Sequence, residues 1–313
     1  MTLQTAAHIK AKPFLKWAGG KTQLLPTIDS YLPQSFSKVS EVTYIEPFVG
    51  GGAMLFFMLQ KYHNIRKAVI NDINPHLIKT YSVIKNRPYH LIEYLDGLQS
   101  VYRSLKGYDA QKDFYLNIRH RFNTEQLADI EEASFMIFLN RTCFNGLYRE
   151  NSKGAFNVPF GRYVNPLICD RDLILADSKL LQRVEILHGD YSLTADYPKG
   201  YTLFYFDPPY RPLDATSSFN SYVKEVFDDK EQIRLKNFFS ALSEQGYLAI
   251  LSNSDGRGRN SDDMFFDELY QDFIIERVLA KRCINANPSK RGALTELLIR
   301  NYDEYQGKTP VHQ

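Results

Sequence analysis

Cysteine is scarce in this chain. Only Cys143, Cys169 and Cys283 occur, with no Cys-x-x-Cys spacing, which argues against a disulfide framework or thiolate zinc site and fits a reducing cytoplasm. The histidines form no His-Glu-x-x-His arrangement, so no metal is expected. No run of about 18 apolar residues exists, and Met1 to Lys10 lacks the apolar core of a signal peptide; neither a membrane span nor secretion is expected. Internal repeats and low-complexity tracts are also missing. The formal net charge is only +2, so no overall cationic field points to a polyanion. Local basic groups occur at Lys10, Lys12, Lys16 and Lys21, at Arg141, Arg149, Lys153 and Arg162, and at Lys281, Arg282, Lys290 and Arg291. Most of these read as solvated surface.

What remains is an ordinary globular composition, 44% hydrophobic over 313 residues, enough for one large domain with an insertion or for two domains. The most informative stretch is Asp207-Pro208-Pro209-Tyr210, directly after the apolar run Thr202 to Phe206. It reads as a buried strand delivering a carboxylate, a stiff double-proline turn and an aromatic ring to one point. The exocyclic amine of a nucleobase needs those parts. Its lone pair is delocalised into the ring until acceptors such as Asp207 and the Pro208 carbonyl draw on its protons, while Tyr210 gives a flipped base a face to stack on. The bland alternative is a strand ending in a common Asp-Pro turn.

Two further signals keep it company. Tyr44 to Gly52 reads as a short strand and a glycine-rich turn, followed by a helical run from Ala53 to Leu59. Glycines there let a backbone approach a ligand closely. Lys67 to Asp72 is a strand ending in an acid, and in a nucleoside-binding α/β sheet that acid is placed to take ribose hydroxyls. By contrast, Gly19-Gly20-Lys21-Thr22 is no phosphate loop, because Leu15 stands where its first glycine belongs. The lone Trp17, between lysines, suits either a nucleoside pocket or plain packing.

Strands are expected at Val42 to Ile45, Lys67 to Asn71, Val184 to Leu187, Thr202 to Phe206, Tyr247 to Leu251, Ile274 to Ala280 and Glu296 to Arg300, with a helix over Phe227 to Ser243. Helix alternating with strand predicts an α/β fold with a mainly parallel sheet. Residues 1–85 and 182–313 read as two parts of one catalytic domain. Residues 86–181 read as a mostly helical insertion, with helices over Pro88 to Tyr102, Lys112 to Phe122 and Leu127 to Asn140. Arg141 to Gly154 reads as a structureless loop, a feature that tends to be functional. Its Asn145, Arg149 and Asn151 suit base edges and its Phe144 and Leu147 suit wedging, although Asn-Gly and Ser-Lys-Gly are also plain turn chemistry.

Taken in order, Phe14-Leu15-Lys16-Trp17-Ala18-Gly19-Gly20-Lys21, Glu46-Pro47-Phe48-Val49-Gly50-Gly51-Gly52, Asn71-Asp72, Phe144-Asn145-Gly146-Leu147-Tyr148-Arg149 and Asp207-Pro208-Pro209-Tyr210 resemble the Dam-like DNA adenine-N6 methyltransferases, particularly those modifying GATC. The likeness runs from Phe14 to about Tyr302 and includes Leu251 to Ser254 and Glu296 to Ile299. It implies a Rossmann-like methyltransferase fold with a seven-stranded sheet. It also implies S-adenosylmethionine as methyl donor, contacted by Trp17, Lys21, Phe48, Gly50, Gly52, Asp72, Asp190 and Asp207. The inserted segment would be the target-recognition domain, with Phe144, Asn145, Leu147, Arg149 and Asn151 at the duplex and Lys16 and Pro159 as further contacts. Where some relatives have tyrosine, Phe144 keeps the wedge without the hydroxyl.

The implied reaction is direct displacement at the sulfonium methyl by the amine of a flipped adenine, without a metal or covalent enzyme intermediate. Double-stranded DNA is the implied partner, for a cytoplasmic monomer that works alone or beside a restriction endonuclease. A cytosine-N4 methyltransferase usually has Ser in place of Asp207. A protein glutamine methyltransferase would resemble Asn-Pro-Pro-Tyr and would not need the recognition segment. A catalytically silent DNA-binding regulator is countered by the intact acid and glycine turn. The polar stretch 253–266 receives no assignment.

Overall fold

A continuous apolar run with no alternation has to be covered on both faces, and Thr202–Phe206 is buried at all five positions, as is Val42–Glu46. The computed structural model describes residues 10–211, 227–258, 260–280 and 294–304. Cys283, the late basic residues Lys281, Arg282, Lys290 and Arg291, and Arg259 lie outside them.

In chain order the elements are α1 (Leu25–Ser30), β1 (Val42–Glu46), α2 (Ala53–Lys61), β2 (Ile65–Asp72), α3 (Pro75–Asn86), α4 (Pro88–Ser104), α5 (Tyr108–Thr124), α6 (Asp129–Thr142), α7 (Arg171–Leu181), β3 (Val184–His188), β4 (Thr202–Phe206), α8 (Asp229–Glu244), β5 (Leu248–Ser254), α9 (Phe265–Leu269), β6 (Ile274–Ala280) and β7 (Leu294–Arg300). All seven expected strands form, two of them with the expected bounds. They make one sheet in the order β3-β2-β1-β4-β5-β7-β6. β1 is parallel to β2 and β4, and β4 to β5, while β7 runs antiparallel to both β5 and β6. This is the expected α/β fold with a seven-stranded, mostly parallel sheet.

The chain divides into two compact units. One holds residues 21–49, 62–73 and 189–313. In it the chain leaves β1 toward β2 on one side, while β4 lies on the other. The strand order therefore reverses between β1 and β4, and ligands of open α/β sheets bind at the carboxyl ends of such strands. The register Thr43↔Thr202, Tyr44↔Leu203, Ile45↔Phe204 sets Glu46-Pro47 level with the end of β4, next to Asp207.

The other unit holds residues 1–20, 50–61 and 74–188 and is mainly helical. Its central helix, α6, is buried without a break from Ala133 to Asn140, because α3, α4 and α5 all pack on it. Acidic Asp129, Glu131 and Glu132 begin α6 and Arg141 ends it, each charge opposing the helix dipole. Arg141 to Gly154 is not structureless. Arg141 and Thr142 complete α6, Phe144–Gly146 form a 3-10 turn, and Cys143 and Glu150 make antiparallel bridges to Phe160 and Phe156. Those partners are non-local, so local turn chemistry does not reveal them. Among the described residues, no helix is long and apolar enough to cross a membrane.

Candidate active site

β4 ends at Phe206 and hands Asp207 to a group of charges in the sheet unit. Lys21 Nζ lies 3.2 Å from Asp207 Oδ1 and 3.7 Å from Glu296 Oε2. The same ammonium sits over the Tyr210 ring, 4.0 Å from its centroid. Tyr210 donates its hydroxyl hydrogen to Glu296 Oε2 at 2.6 Å, and Ser252 Oγ donates to Asp207 Oδ1 at 3.2 Å. Lys21 is only 6% exposed, unlike the solvated lysines around it in sequence. A buried ammonium needs partners, and here it has two carboxylates and a π face.

Burial raises the Asp207 pKa. Lys21 and Ser252 pull against that rise and Glu296 adds to it, for a net upward shift. Behind it, the end of β1 carries a second acid. Glu46 is 2% exposed. Burial pushes it up to about 8, with the Tyr44 hydroxyl opposing and Asp207 reinforcing the rise. Burial thus raises both carboxyl groups, and only Asp207 has an ammonium pulling against the rise.

The double-proline turn is tied down from the neighbouring elements. Gln232 Nε2 donates to the Pro209 carbonyl at 3.2 Å, and Asn253 Oδ1 accepts the Arg211 amide at 3.4 Å. Arg211 pairs with Asp229 at 2.7 Å and Asp263 at 2.9 Å. Asp263 gives the unassigned 253–266 stretch at least a structural role.

A second group in this unit gathers three expected donor-binding residues. Asn71 Nδ2 donates to the carbonyls of Pro47 at 3.1 Å and Gly189 at 2.9 Å, and the Gly189 amide donates to the Asp72 carbonyl at 3.1 Å. These bonds stitch the ends of β1 and β2 to the turn carrying Asp190, and so bring Phe48, Asp72 and Asp190 into one neighbourhood. Phe48 packs against Tyr191, centroids 5.2 Å apart. Asp190 caps the turn through the Ser192 amide and pairs with Arg234 at 2.6 Å. Burial opposes its ionisation, but Arg234 and Ser192 outweigh burial and hold its pKa below the ordinary value.

The helical unit places Trp17, Gly50 and Gly52. Gly50 and Gly52 have φ of +48° and +74°. A Cβ at Gly50 would lie 3.0 Å from Trp17 Cδ1, and one at Gly52 only 2.4 Å from the Tyr81 hydroxyl. The turn therefore requires glycine for both backbone and space. Trp17 stacks on Tyr148, centroids 5.0 Å apart and planes 18° from parallel. Within this unit, the aromatic face of Trp17 beside a glycine turn without side chains fits the flat ring of a nucleoside.

In the same unit Phe144, Asn145 and Leu147 are exposed, with Gly146 buried between them and Tyr148 buried after them. Asn145 holds φ at +59°. The Pro159 carbonyl accepts the Phe144 amide at 2.8 Å, and Arg149 Nε donates to Asn157 Oδ1 at 2.8 Å. Asn151 Oδ1 accepts the amides of Lys153 and Ala155, closing its own turn. The exposed Lys16 runs alongside Gly146, as described below. Sequence reasoning missed Glu296 and Ser252 as parts of the acid cluster. Strand order supplies the missing signal, since Ser252 is on β5, next to β4, and Glu296 is on β7, next to β5.

Residues 17–284 match the family model described as D12 class N6 adenine-specific DNA methyltransferase. The chain is 47% identical over 297 residues to the type II methyltransferase M.MjaIII of Methanocaldococcus jannaschii, covering 94% of this chain and 100% of that protein. It is 38% identical over 307 residues to the type II methyltransferase M1.LlaDCHI of Lactococcus lactis subsp. cremoris, covering 96% and 99%. It is 32% identical over 289 residues to a DNA adenine methylase of Vibrio cholerae serotype O1, covering 92% and 95%.

Proposed function

Because the chain belongs to the D12 class N6 adenine-specific DNA methyltransferase family, we propose that it methylates the adenine N6 of GATC in duplex DNA, turning the target base out of the helix first. S-adenosylmethionine supplies the electrophilic methyl group of this chemistry. Trp17, Lys21, Phe48, Gly50, Gly52, Asp72 and Asp190 are the residues assigned to holding it, with Asp72 taking the ribose hydroxyls. The observation that carries the reading is the Asp207 cluster. Lys21 and Ser252 both address Asp207 Oδ1, which leaves Oδ2 to accept the exocyclic amine.

Lys21 offsets the cost of burying Asp207 as a carboxylate. The Pro208 carbonyl serves as the second acceptor. Positive charge develops on the amine nitrogen as its bond to carbon forms, and the fixed negative charges of Asp207 and Glu296 favour that state without rearrangement. Asp207 acts here as an orienting acceptor, since a neutral amine hardly releases a proton before the transfer. Tyr210, its tilt set by Glu296, offers the flipped base a stacking face. Residues 86–181 serve as the reader. Within it Phe144 and Leu147 wedge, Asn145 and Arg149 meet base edges, and Asn151 and Pro159 support them, joined by Lys16 from outside the insertion. Two of the relatives named above are type II methyltransferases, which favours work beside a restriction endonuclease.

The test is labelled methyl transfer to short duplexes carrying GATC or one-base variants, with the modified base identified. N6-methyladenine confined to GATC is expected. Label on cytosine, or equal transfer to the variants, refutes the assignment.

A further inference from the structure

Asn140, near the end of α6, is 1% exposed and its amide is fully engaged. Oδ1 accepts the Lys16 amide hydrogen at 2.9 Å, and Nδ2 donates to the Lys16 carbonyl at 2.9 Å and to the Gly146 carbonyl at 2.9 Å. One side chain thus imitates a strand partner for Lys16 while gripping the turn that presents Phe144, Asn145 and Leu147. A separate contact joins the same two pieces. Gly146 has φ of +67°, and a Cβ there would lie 2.6 Å from Lys16 Cδ. The aliphatic stem of Lys16 therefore passes directly over the α-carbon of Gly146.

The rest of the segment is pinned nearby. Arg141 Nη2 donates to the Phe14 carbonyl at 2.9 Å, and Asp177 Oδ1 accepts the Lys12 amide at 3.1 Å. Those bonds fix the path of the segment but do not involve the turn. Asn140 touches both.

We propose that Asn140 is a positioning residue for sequence choice, holding Lys16 and the Phe144–Arg149 turn in register so that they read one DNA site as a unit. This rests on the DNA-reading role proposed above for Lys16 and the turn. Asn140 is buried, so it acts through them without meeting DNA. Its loss leaves the chemistry at Asp207 in place and loosens the geometry of two contacts at once. Displacements of about 1 Å at such a site suffice for large losses in rate.

The experiment compares kcat/KM on a GATC duplex and on one-base variants for the wild type, Asn140→Ala, Lys16→Ala, Arg149→Ala and the Asn140→Ala/Lys16→Ala double variant. The expected result is a fall in discrimination on the order of tenfold for Asn140→Ala, with the double variant losing clearly less than the product of the two single losses. Wild-type discrimination in Asn140→Ala, or losses that simply multiply in the double variant, overturns the proposal. If Asn140→Ala does not fold, Asn140→Asp is judged by the same criteria, since it keeps the shape and withdraws at least one of the two donations. If Lys16→Ala and Arg149→Ala both discriminate as the wild type does, the reading role falls and this inference with it. If they lose discrimination while the Asn140 variant does not, only the inference falls.

Discussion

Around Asn140 every close contact joins a neutral amide to a backbone group at 2.9 Å, whereas around Asp207 one ammonium is divided between two carboxylates at 3.2 and 3.7 Å. Neutral contacts of that kind are indifferent to pH and salt and have a single best geometry. A shared ammonium has more than one place to rest, because either acid or the Tyr210 ring can hold it. Under the function proposed above, reading sequence would call for the first property. Accepting a polar base into a charged site would call for the second, since Lys21 can give ground without leaving every partner.

The sharpest way to break this contrast is to remove the acid. Asp207→Ala is expected to lower single-turnover methyl transfer by at least about a thousandfold, the scale of losing a preorganised electrostatic partner. Its thermal unfolding should stay close to that of the wild type, because Lys21 keeps Glu296. Near-normal turnover in the purified variant removes Asp207 from the chemistry.

A smaller effect separates the buried acids by pH. Glu46 is raised from 4.5 to about 8 and Asp177 from 3.8 to about 8, both chiefly by burial. Each folded-state pKa lies above the unfolded one, so each contribution to stability is complete below about pH 4 and is lost as pH rises through about 8. Glu46→Gln, neutral throughout, should lose less stability than the wild type between pH 5 and pH 9 in urea unfolding. The difference should rise by no more than ~1.4 kcal/mol per pH unit. Asp177→Asn should behave likewise in the helical unit. Parallel curves for variants and wild type would show that these acids are ionised when folded.

The smallest expected change concerns the stacked pair Trp17–Tyr148. Tyr148→Phe keeps the ring and Tyr148→Leu removes it. The gap in stability between the two variants should therefore be about 0.5–1.5 kcal/mol beyond buried area. Equal stability would mean that the stack only fills space.

Much of the sheet was legible because buried strands have few ways to be written. Thr202 to Phe206 is five apolar or β-favouring residues between turn formers, and it forms a strand over those residues. The helices α1, α3, α7 and α9 escaped notice, although the starts of two carry a signal: Asn74 before Pro75 caps α3, and Asp170 caps α7. The acid cluster was half legible. Asp207 and Tyr210 announce themselves through the prolines, but Glu296 looks like an ordinary strand residue until β7 is seen beside β5. Asn140 was wholly hidden. On a helix buried without a break from Ala133 to Asn140, this Asn reads as an accident of the core, and its partners lie 124 and 6 residues away.

The position of β7 has a consequence for synthesis on the ribosome. Among the described residues β6 sits at the sheet margin beside β7, and β7 also pairs with β5. A nascent chain that has emerged only as far as Ala280 carries β6 without the strand it pairs with and lacks Glu296 altogether. Lys21 and Asp207 must therefore wait for almost the whole polypeptide before their third partner arrives, so a truncated translation product would lack the completed charge cluster.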